Sequence, residues 1–261
     1  MAGRVLVNGA AADKASRLVA PGDQIVVTAA PPRFVGRGGE KLDAALERFS
    51  IDVADRVALD AGASTGGFTD CLLQRGAARV IALDVGRGQL HPRLRGDDRV
   101  CVIERTNIRL VDPERLSILV RERHADWHVP TRLRVSVVTA DLSFISLRTV
   151  APILAGSLLE EGGDLVALVK PQFEAGRSEA GKGKGVIRDP STWCKAVVEV
   201  ASAFEAAGAG IMDVMSSPLR GPAGNREFLL HARSGRPGRG LSALEELAWL
   251  AVASPTAGPS A

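Results

Sequence analysis

Short, largely apolar runs alternate with amphipathic stretches through most of this chain, and the alternation predicts its architecture. Runs at 57–59, 80–83, 100–103, 135–140 and 164–168 read as strands buried on both faces, the pattern of a parallel sheet. Between them, 67–74, 113–122, 146–158 and 190–207 space their apolar residues as helices do. A helix over 40–49, with Leu42, Leu46 and Phe49 on one face, precedes the first of these strands. Two more strands, near 210–215 and 227–232, follow the last of these helices. This order predicts an α/β fold with a mostly parallel, doubly wound sheet and helices on both faces.

The first 29 residues are patterned differently and predict a small β-rich unit. Arg4-Val5-Leu6-Val7 and Gln24-Ile25-Val26-Val27 read as strands, with turns at Asn8-Gly9 and Pro21-Gly22-Asp23. Residues 30–36, with Ala30-Pro31-Pro32, form a stiff linker. The α/β domain then spans 37–235, and 236–261 hold an amphipathic helix at 242–253 and a Pro/Ser/Ala tail expected to be disordered. Segment 174–185, rich in Gly, Lys and Glu, is expected to be a mobile loop beside the site. Segment 121–132, with Trp127 among several charges, is expected to be a solvated insertion.

Composition narrows the function only slightly. The chain has 261 residues, 46% hydrophobic and 24% charged, as in ordinary globular proteins. Its net charge is +3 and its pI about 9.0, which permits an anionic partner such as RNA without requiring one. Cys71, Cys101 and Cys194 are scattered, which suits a reducing cytoplasmic setting. His91, His124, His128 and His231 show no metal-ligand spacing. No apolar run reaches the ~20 residues of a membrane helix.

The chemistry starts at Val57-Ala58-Leu59-Asp60-Ala61-Gly62-Ala63-Ser64-Thr65-Gly66-Gly67-Phe68-Thr69-Asp70, an apolar strand, a glycine-rich turn and a helix start. Such a junction brings backbone N–H groups to a ligand at a helix N-terminus. The spacing is neither that of a dinucleotide fold nor that of a phosphate-cradling loop. It resembles motif I of S-adenosylmethionine-dependent methyltransferases. Asp84, at the end of Val80-Ile81-Ala82-Leu83, stands where a carboxylate accepts hydrogen bonds from a ribose diol.

Lys41, Asp141, Lys170 and Glu227 stand out at a helix start and at strand ends. Asp141 and Lys170 end strands on the edge that carries the glycine loop, where open α/β sheets bind ligands. In that order the four resemble the Lys-Asp-Lys-Glu tetrad of RrmJ/FtsJ-type ribose 2′-O-methyltransferases. Local strings are closer still to the TlyA/hemolysin A group of rRNA 2′-O-methyltransferases. They are Phe34-Val35-Gly36-Arg37-Gly38-Gly39-Glu40-Lys41-Leu42, the glycine loop, Asp84-Val85-Gly86-Arg87-Gly88-Gln89-Leu90, Glu104-Arg105-Thr106-Asn107, Ala140-Asp141-Leu142-Ser143-Phe144-Ile145-Ser146, Val169-Lys170-Pro171-Gln172-Phe173-Glu174 and Gly221-Pro222-Ala223-Gly224-Asn225-Arg226-Glu227. The resemblance covers about 3–232. It implies a Rossmann-like methyltransferase domain, an S4-like RNA-binding domain and ribosomal RNA as substrate.

The resemblance makes Lys41, Asp141, Lys170 and Glu227 the expected catalytic residues. A ribose hydroxyl is hardly ionised at neutral pH, so its proton must be taken as the methyl group arrives. Lys170 is the expected base, Lys41 a second cation beside it, and Asp141 and Glu227 the groups that orient them. The expected cofactor, S-adenosyl-L-methionine, would lie on Asp60, Gly62, Ala63, Ser64, Thr65, Gly66, Gly67, Phe68, Asp84, Val85, Thr106, Asn107, Asp141 and Leu142, with Phe144 also able to pack on the adenine. Arg33, Arg37, Arg87, Lys182 and Lys184, with Arg93, Arg95 and Arg105, are candidates for RNA phosphate contacts. No metal is called for.

Residues 1–29 match only the second half of an S4 domain; the two basic helices of its first half are expected either upstream of a start placed too late at Met1 or to have been lost, the first being favoured because an exposed half-domain would leave an apolar face uncovered. Other classes remain as alternatives. A non-catalytic RNA- or ribosome-binding factor would fit the short RNA-binding part. A haemolysin-like cytolysin would need an amphipathic basic helix or a span that the sequence lacks. A small-molecule methyltransferase would have no use for S4-like strands.

Overall fold

A computed structural model describes residues 5–12, 16–28, 32–175 and 185–254. The chain divides into two compact units, Met1–Arg33 and Phe34–Ala261. In the first, β1 (Val5–Val7) lies between β2 (Ala10–Ala11) and β3 (Ile25–Val27) in an antiparallel sheet. Asn8 and Gly9 both take positive φ, +53° and +80°, the geometry of the tight hairpin that Asn-Gly favours. The Asn8 amide also donates to Asp23 Oδ1 at 2.8 Å, and the Ala20 N–H donates to Asp23 Oδ2 at 2.8 Å. The Ala20 and Asn8 donors hold the Asp23 carboxyl below its usual range. Ile25 and Val27 are 54% and 67% exposed, so this sheet leaves apolar surface uncovered in the described residues.

The second unit holds β4 (Val57–Ala61), β5 (Arg79–Leu83), β6 (Val100–Ile103), β7 (Val135–Ala140), β8 (Leu159–Val169), β9 (Ala209–Ser216) and β10 (Phe228–Ser234). They form one sheet in the order β6-β5-β4-β7-β8-β10-β9. The first five are parallel, and β10 runs antiparallel to both β8 and β9. This is the mostly parallel, Rossmann-like α/β sheet expected from the pattern.

Alternation along the strands feeds two cores. Ala58, Val80, Val100, Val137 and Val166 face α1 (Gly38–Arg48), α2 (Gly67–Gln74) and α3 (Pro92–Arg95). Leu59, Ile81, Cys101, Val138 and Leu165 face α4 (Pro113–Arg123), α5 (Leu147–Ala151), α7 (Pro190–Ala206) and α8 (Leu241–Ala253). One further turn, α6 (Pro171–Glu174), follows β8. Asp112 and Asp189 cap α4 and α7 by accepting backbone N–H bonds, with Pro at the first helical position of each.

The structure corrects the pattern at three places. The helix expected over 146–158 is regular only to Ala151, and 152–158 widen into π-helical turns. Pro152 has no N–H to continue the α ladder. β8 starts earlier than expected because Val135 pairs with Leu159 and Val137 with Asp164, across a bulge that holds Gly162 at φ +74°. Within 121–132, Trp127 is only 4% exposed: it joins the core, tilts against His124 at 4.6 Å and carries the Arg79 guanidinium on its face. That segment is a plug, not a wholly solvated insertion.

Candidate active site

Register places the chemistry-bearing residues along one edge. Ala61 pairs with Ala140, so Gly62 and Asp141 leave neighbouring strand ends together, and the Asp141 N–H donates to Ala61 O at 3.0 Å. Gly62 has φ +87°, and a Cβ there would stand 2.6 Å from the Asp141 carbonyl oxygen, so only glycine lets the two loops close up. Antiparallel β10 supplies the rest. Phe228 pairs with Val169, which brings Glu227, just before β10, to the end of β8 where Lys170 stands. Helix α1 reaches this edge because Gly67 meets Gly36 and Gly38: a Cβ on Gly67 would stand 3.1 Å from the Gly36 oxygen and 3.2 Å from the Gly38 Cα.

The four tetrad residues resolve into two ion pairs. Lys41 Nζ donates to Glu227 Oε2 at 2.5 Å, with side chains 9% and 2% exposed. Lys170 Nζ lies 2.6 Å from Asp141 Oδ1, with side chains 12% and 24% exposed. The second pair is a close ionic contact rather than an aligned hydrogen bond, since Asp141 Oδ1 has no aligned donor among the described residues. Lys170 instead donates to Ser143 Oγ at 2.9 Å and sits 6.0 Å from the centre of the Phe173 ring. A chamber of about 90 Å³ beside Asp141, lined by Gly38, Thr65, Gly67 and Phe68, separates the start of α1 from the glycine loop.

A cavity of about 610 Å³ opens beside Asp141 of the second pair. Of the expected cofactor residues, Gly62, Ser64, Asp84, Val85, Asn107, Asp141 and Leu142 line it. Ala63, Thr65, Gly67 and Phe68 line the smaller chamber. Asp84 anchors the glycine loop, accepting the Ser64 N–H at 2.8 Å and the Gly86 N–H at 2.6 Å. Its oxygens retain lone pairs for a further donor.

Three expected cofactor residues stand elsewhere. Asp60 is fully buried and accepts from Thr69 Oγ1 at 2.6 Å and Thr139 Oγ1 at 3.3 Å. Burial with no cation pushes its carboxyl up to about 7, and neighbouring Asp141 adds to the rise. Gly66 shapes the loop, with φ +97° and its missing Cβ leaving room for Leu94 and Leu90. The Thr106 hydroxyl turns back to the Glu104 carbonyl oxygen at 3.1 Å. Gln89, Ile108, Arg109, Ser143 and Ile145 line the cavity without having been singled out. Gln89, Ser143 and Ile145 lie within the strings that carry the resemblance, whereas Ile108 and Arg109 had no signal.

The basic candidates have mixed surroundings. Arg37, Arg87 and Arg105 are exposed on the second unit. Arg93 pairs with Asp70 and Arg95 with Glu104. Arg33 belongs to the first unit. Lys182 and Lys184, with most of the loop expected at 174–185, lie outside the described residues. Among the described residues no cluster of His, Cys, Asp and Glu could hold a metal ion, and no helix is long and apolar enough to cross a membrane.

A family model for FtsJ-like methyltransferases matches residues 34–234. The chain belongs to the FtsJ-like methyltransferase family. It is 46% identical over 243 residues to the 16S/23S rRNA (cytidine-2′-O)-methyltransferase TlyA of Mycobacterium tuberculosis, covering 93% of this chain and 84% of that protein. It is 39% identical over 234 residues to Hemolysin A of Brachyspira hyodysenteriae, covering 88% of this chain and 89% of that one. A solved Streptococcus thermophilus structure with a hemolysin designation aligns at TM-score 0.76 and 38% identity, over 96% of this chain and 86% of that chain. An S-adenosylmethionine dependent methyltransferase of Listeria monocytogenes aligns at TM-score 0.53 and 14% identity, over 77% of this chain and all of that one, a likeness of fold alone. This FtsJ-like chain is accordingly a methyltransferase.

Proposed function

We propose that the protein methylates the 2′-hydroxyl of a cytidine in ribosomal RNA, with S-adenosyl-L-methionine as methyl donor. The observation that carries this reading is the Lys170–Asp141 ion pair, whose Asp141 lines a cavity of nucleoside size, with the Lys41–Glu227 pair at the same sheet edge. The relatives named as rRNA (cytidine-2′-O)-methyltransferases supply the substrate class.

The cavity suits the donor on its own terms. Gly62 lets the Asp141 loop close against the glycine loop, Asp84 offers a carboxylate at a strand end, and Asn107, Ile108 and Leu142 offer an amide and apolar surface for a purine ring. Bound there, S-adenosyl-L-methionine supplies an electrophilic methyl group. The chain's own residues do the rest. Lys170 Nζ takes the proton of the 2′-hydroxyl as the oxygen attacks the methyl carbon. Asp141 and Ser143 fix the direction of that amine. Lys41, held by Glu227, stabilises negative charge developing on the ribose oxygen. Phe144, 92% exposed beside Phe173, offers the cytosine a stacking face. Arg37, Arg87 and Arg105, with Lys182 and Lys184, supply salt-sensitive phosphate contacts.

The test is incubation with radiolabelled S-adenosylmethionine and ribosomal subunits lacking ribose methylation, beside Lys170→Ala. Label recovered in alkali-resistant dinucleotides, and lost with Lys170→Ala, is the expected result. Cofactor binding without label in RNA would shift the reading to a non-catalytic ribosome-binding factor.

A further inference from the structure

The string Val169-Lys170-Pro171-Gln172-Phe173-Glu174 ends in a carboxylate to which the mechanism gives no part. Glu174 is 3% exposed. Its Oε1 accepts the Leu147 N–H at 2.8 Å and its Oε2 accepts the Ser146 hydroxyl at 2.5 Å. Arg148 adds a hydrogen bond to the Glu174 carbonyl oxygen at 2.9 Å and an ion pair with its carboxylate at 3.5 Å. The same Arg148 reaches Glu199 on α7 at 2.6 Å. Glu174 thus satisfies the exposed N–H end of α5 and ties it to the turn after β8.

Its place in the chain gives this anchor a consequence. Lys170 and Glu174 are the two ends of one helical turn, with Lys170 just before α6 and Glu174 its last residue. A single turn has no stability of its own and stays where its docking contacts hold it. The partner loop, Asp141 to Ser146, carries Asp141 and Ser143, which Lys170 meets. That loop also contains Phe144 at φ +66°, a strained conformation for an aromatic residue that persists only under outside constraint. The two loops are fastened at both ends, Lys170 to Asp141 and Ser143 at one and Glu174 to Ser146 and Leu147 at the other, with Phe144 and Phe173 in contact between them at 5.2 Å.

We infer that Glu174 is the positioning residue of Lys170: by clamping the end of α6 to the start of α5, it holds the Lys170 amine in register with Asp141 and Ser143. It acts through Lys170 and touches neither substrate nor cofactor. The kinetic part of this inference rests on the proposed role of Lys170 as base; the geometric part does not.

The experiment uses the full chain with [13Cε]-lysine, the Lys170 resonance being assigned with Lys170→Arg. The titration midpoint of Lys170, the methyl-transfer rate on ribosomal subunits, cofactor affinity and melting temperature are measured for wild type, Glu174→Ala, Glu174→Gln and Ser146→Ala. Glu174→Ala is expected to move the Lys170 midpoint and cut single-turnover transfer about 100-fold, the cost of a misplacement near 1 Å, with cofactor affinity within about twofold of wild type. Glu174→Gln keeps an acceptor for the Leu147 N–H and is expected to recover most of both losses. If Glu174→Ala does not fold, Ser146→Ala, which removes one of the two side-chain bonds, is expected to show a smaller movement in the same direction. A Lys170 midpoint unmoved in every folded variant overturns the inference and leaves Glu174 a cap of α5. A moved midpoint with an unchanged rate upholds the positioning and instead overturns Lys170 as the base.

Discussion

Each end of the central sheet carries a buried ionic cluster, and the surroundings of the two set them apart. Midway along β8, beside the start of β4, Asp164 accepts from Arg56 Nη1 at 2.8 Å and from His231 Nε2 at 2.9 Å, while Arg56 also donates to the Ser136 carbonyl oxygen. His231 in turn stacks on Phe49 at 5.5 Å. This cluster ties β7, β8, β10 and the segment before β4 together, and no cavity adjoins it among those described. At the opposite end, Asp141 of the Lys170–Asp141 pair lines the open cavity and its Oδ1 lacks an aligned donor, with the Lys41–Glu227 pair at the same sheet edge. A cluster closed on itself with its donors and acceptors matched stiffens a fold. One left incomplete beside a space retains capacity for a ligand.

That contrast yields tests of unequal size. Lys170→Ala is expected to reduce methyl transfer by about 10³-fold, within the range of a lost general base, with a melting temperature close to wild type. Asp164→Ala should do the reverse. Breaking a buried pair and leaving its partners costs about 3–5 kcal/mol of stability in denaturant titrations, with the rate per folded molecule unchanged. Equal losses of rate in both variants would erase the distinction between the two ends.

The pH dependence of stability separates them again, with opposite signs. Burial pushes the Asp60 carboxyl from 3.8 to about 7, so across that interval the folded protein holds a proton that the unfolded chain has released. Its contribution therefore falls as pH rises across the interval, and Asp60→Asn should flatten that slope. For Asp164, burial alone would raise the carboxyl, but the His231 and Arg56 hydrogen bonds outweigh it and hold it below the usual range. That contribution is present above the ordinary carboxylate pKa of about 4 and is lost as pH falls through the folded value. Asp164→Asn should remove this acid-side loss.

Smaller effects complete the comparison. Asp84→Ala should weaken cofactor binding in calorimetry by about tenfold or more, through a lost charge-assisted hydrogen bond and a loosened glycine loop. Arg95→Ala, which breaks an exposed pair with Glu104, should change stability by less than about 1 kcal/mol.

Much of this molecule was legible along the chain because its signals are local. The largely apolar runs at 100–103 and 135–140 coincide with β6 and β7, since a strand covered on both faces is built mainly from apolar residues. Asn8-Gly9 specified its own hairpin through the positive φ that both residues tolerate. The strand-end positions of Asp84, Asp141 and Lys170 followed from the alternation alone. Asp60 stands within the glycine-loop string, yet as a strand residue its side chain faces α2, where Thr69 and Thr139 hold it. Trp127 misled because the charges around it hid one side chain that reaches the core.

The sequence by itself determined the strands, the helices, the glycine turn and the residue types for methyl transfer, because each depends on neighbours within a few positions. Only the tertiary structure decided how those residues meet. The antiparallel insertion of β10 between β8 and β9 sets Glu227 beside the end of β8, and the glycine contact at Gly67 brings α1 to the same edge, so that Lys41 finds a partner 186 residues away. Pairings of that range are fixed by sheet register and close packing, which no local pattern encodes.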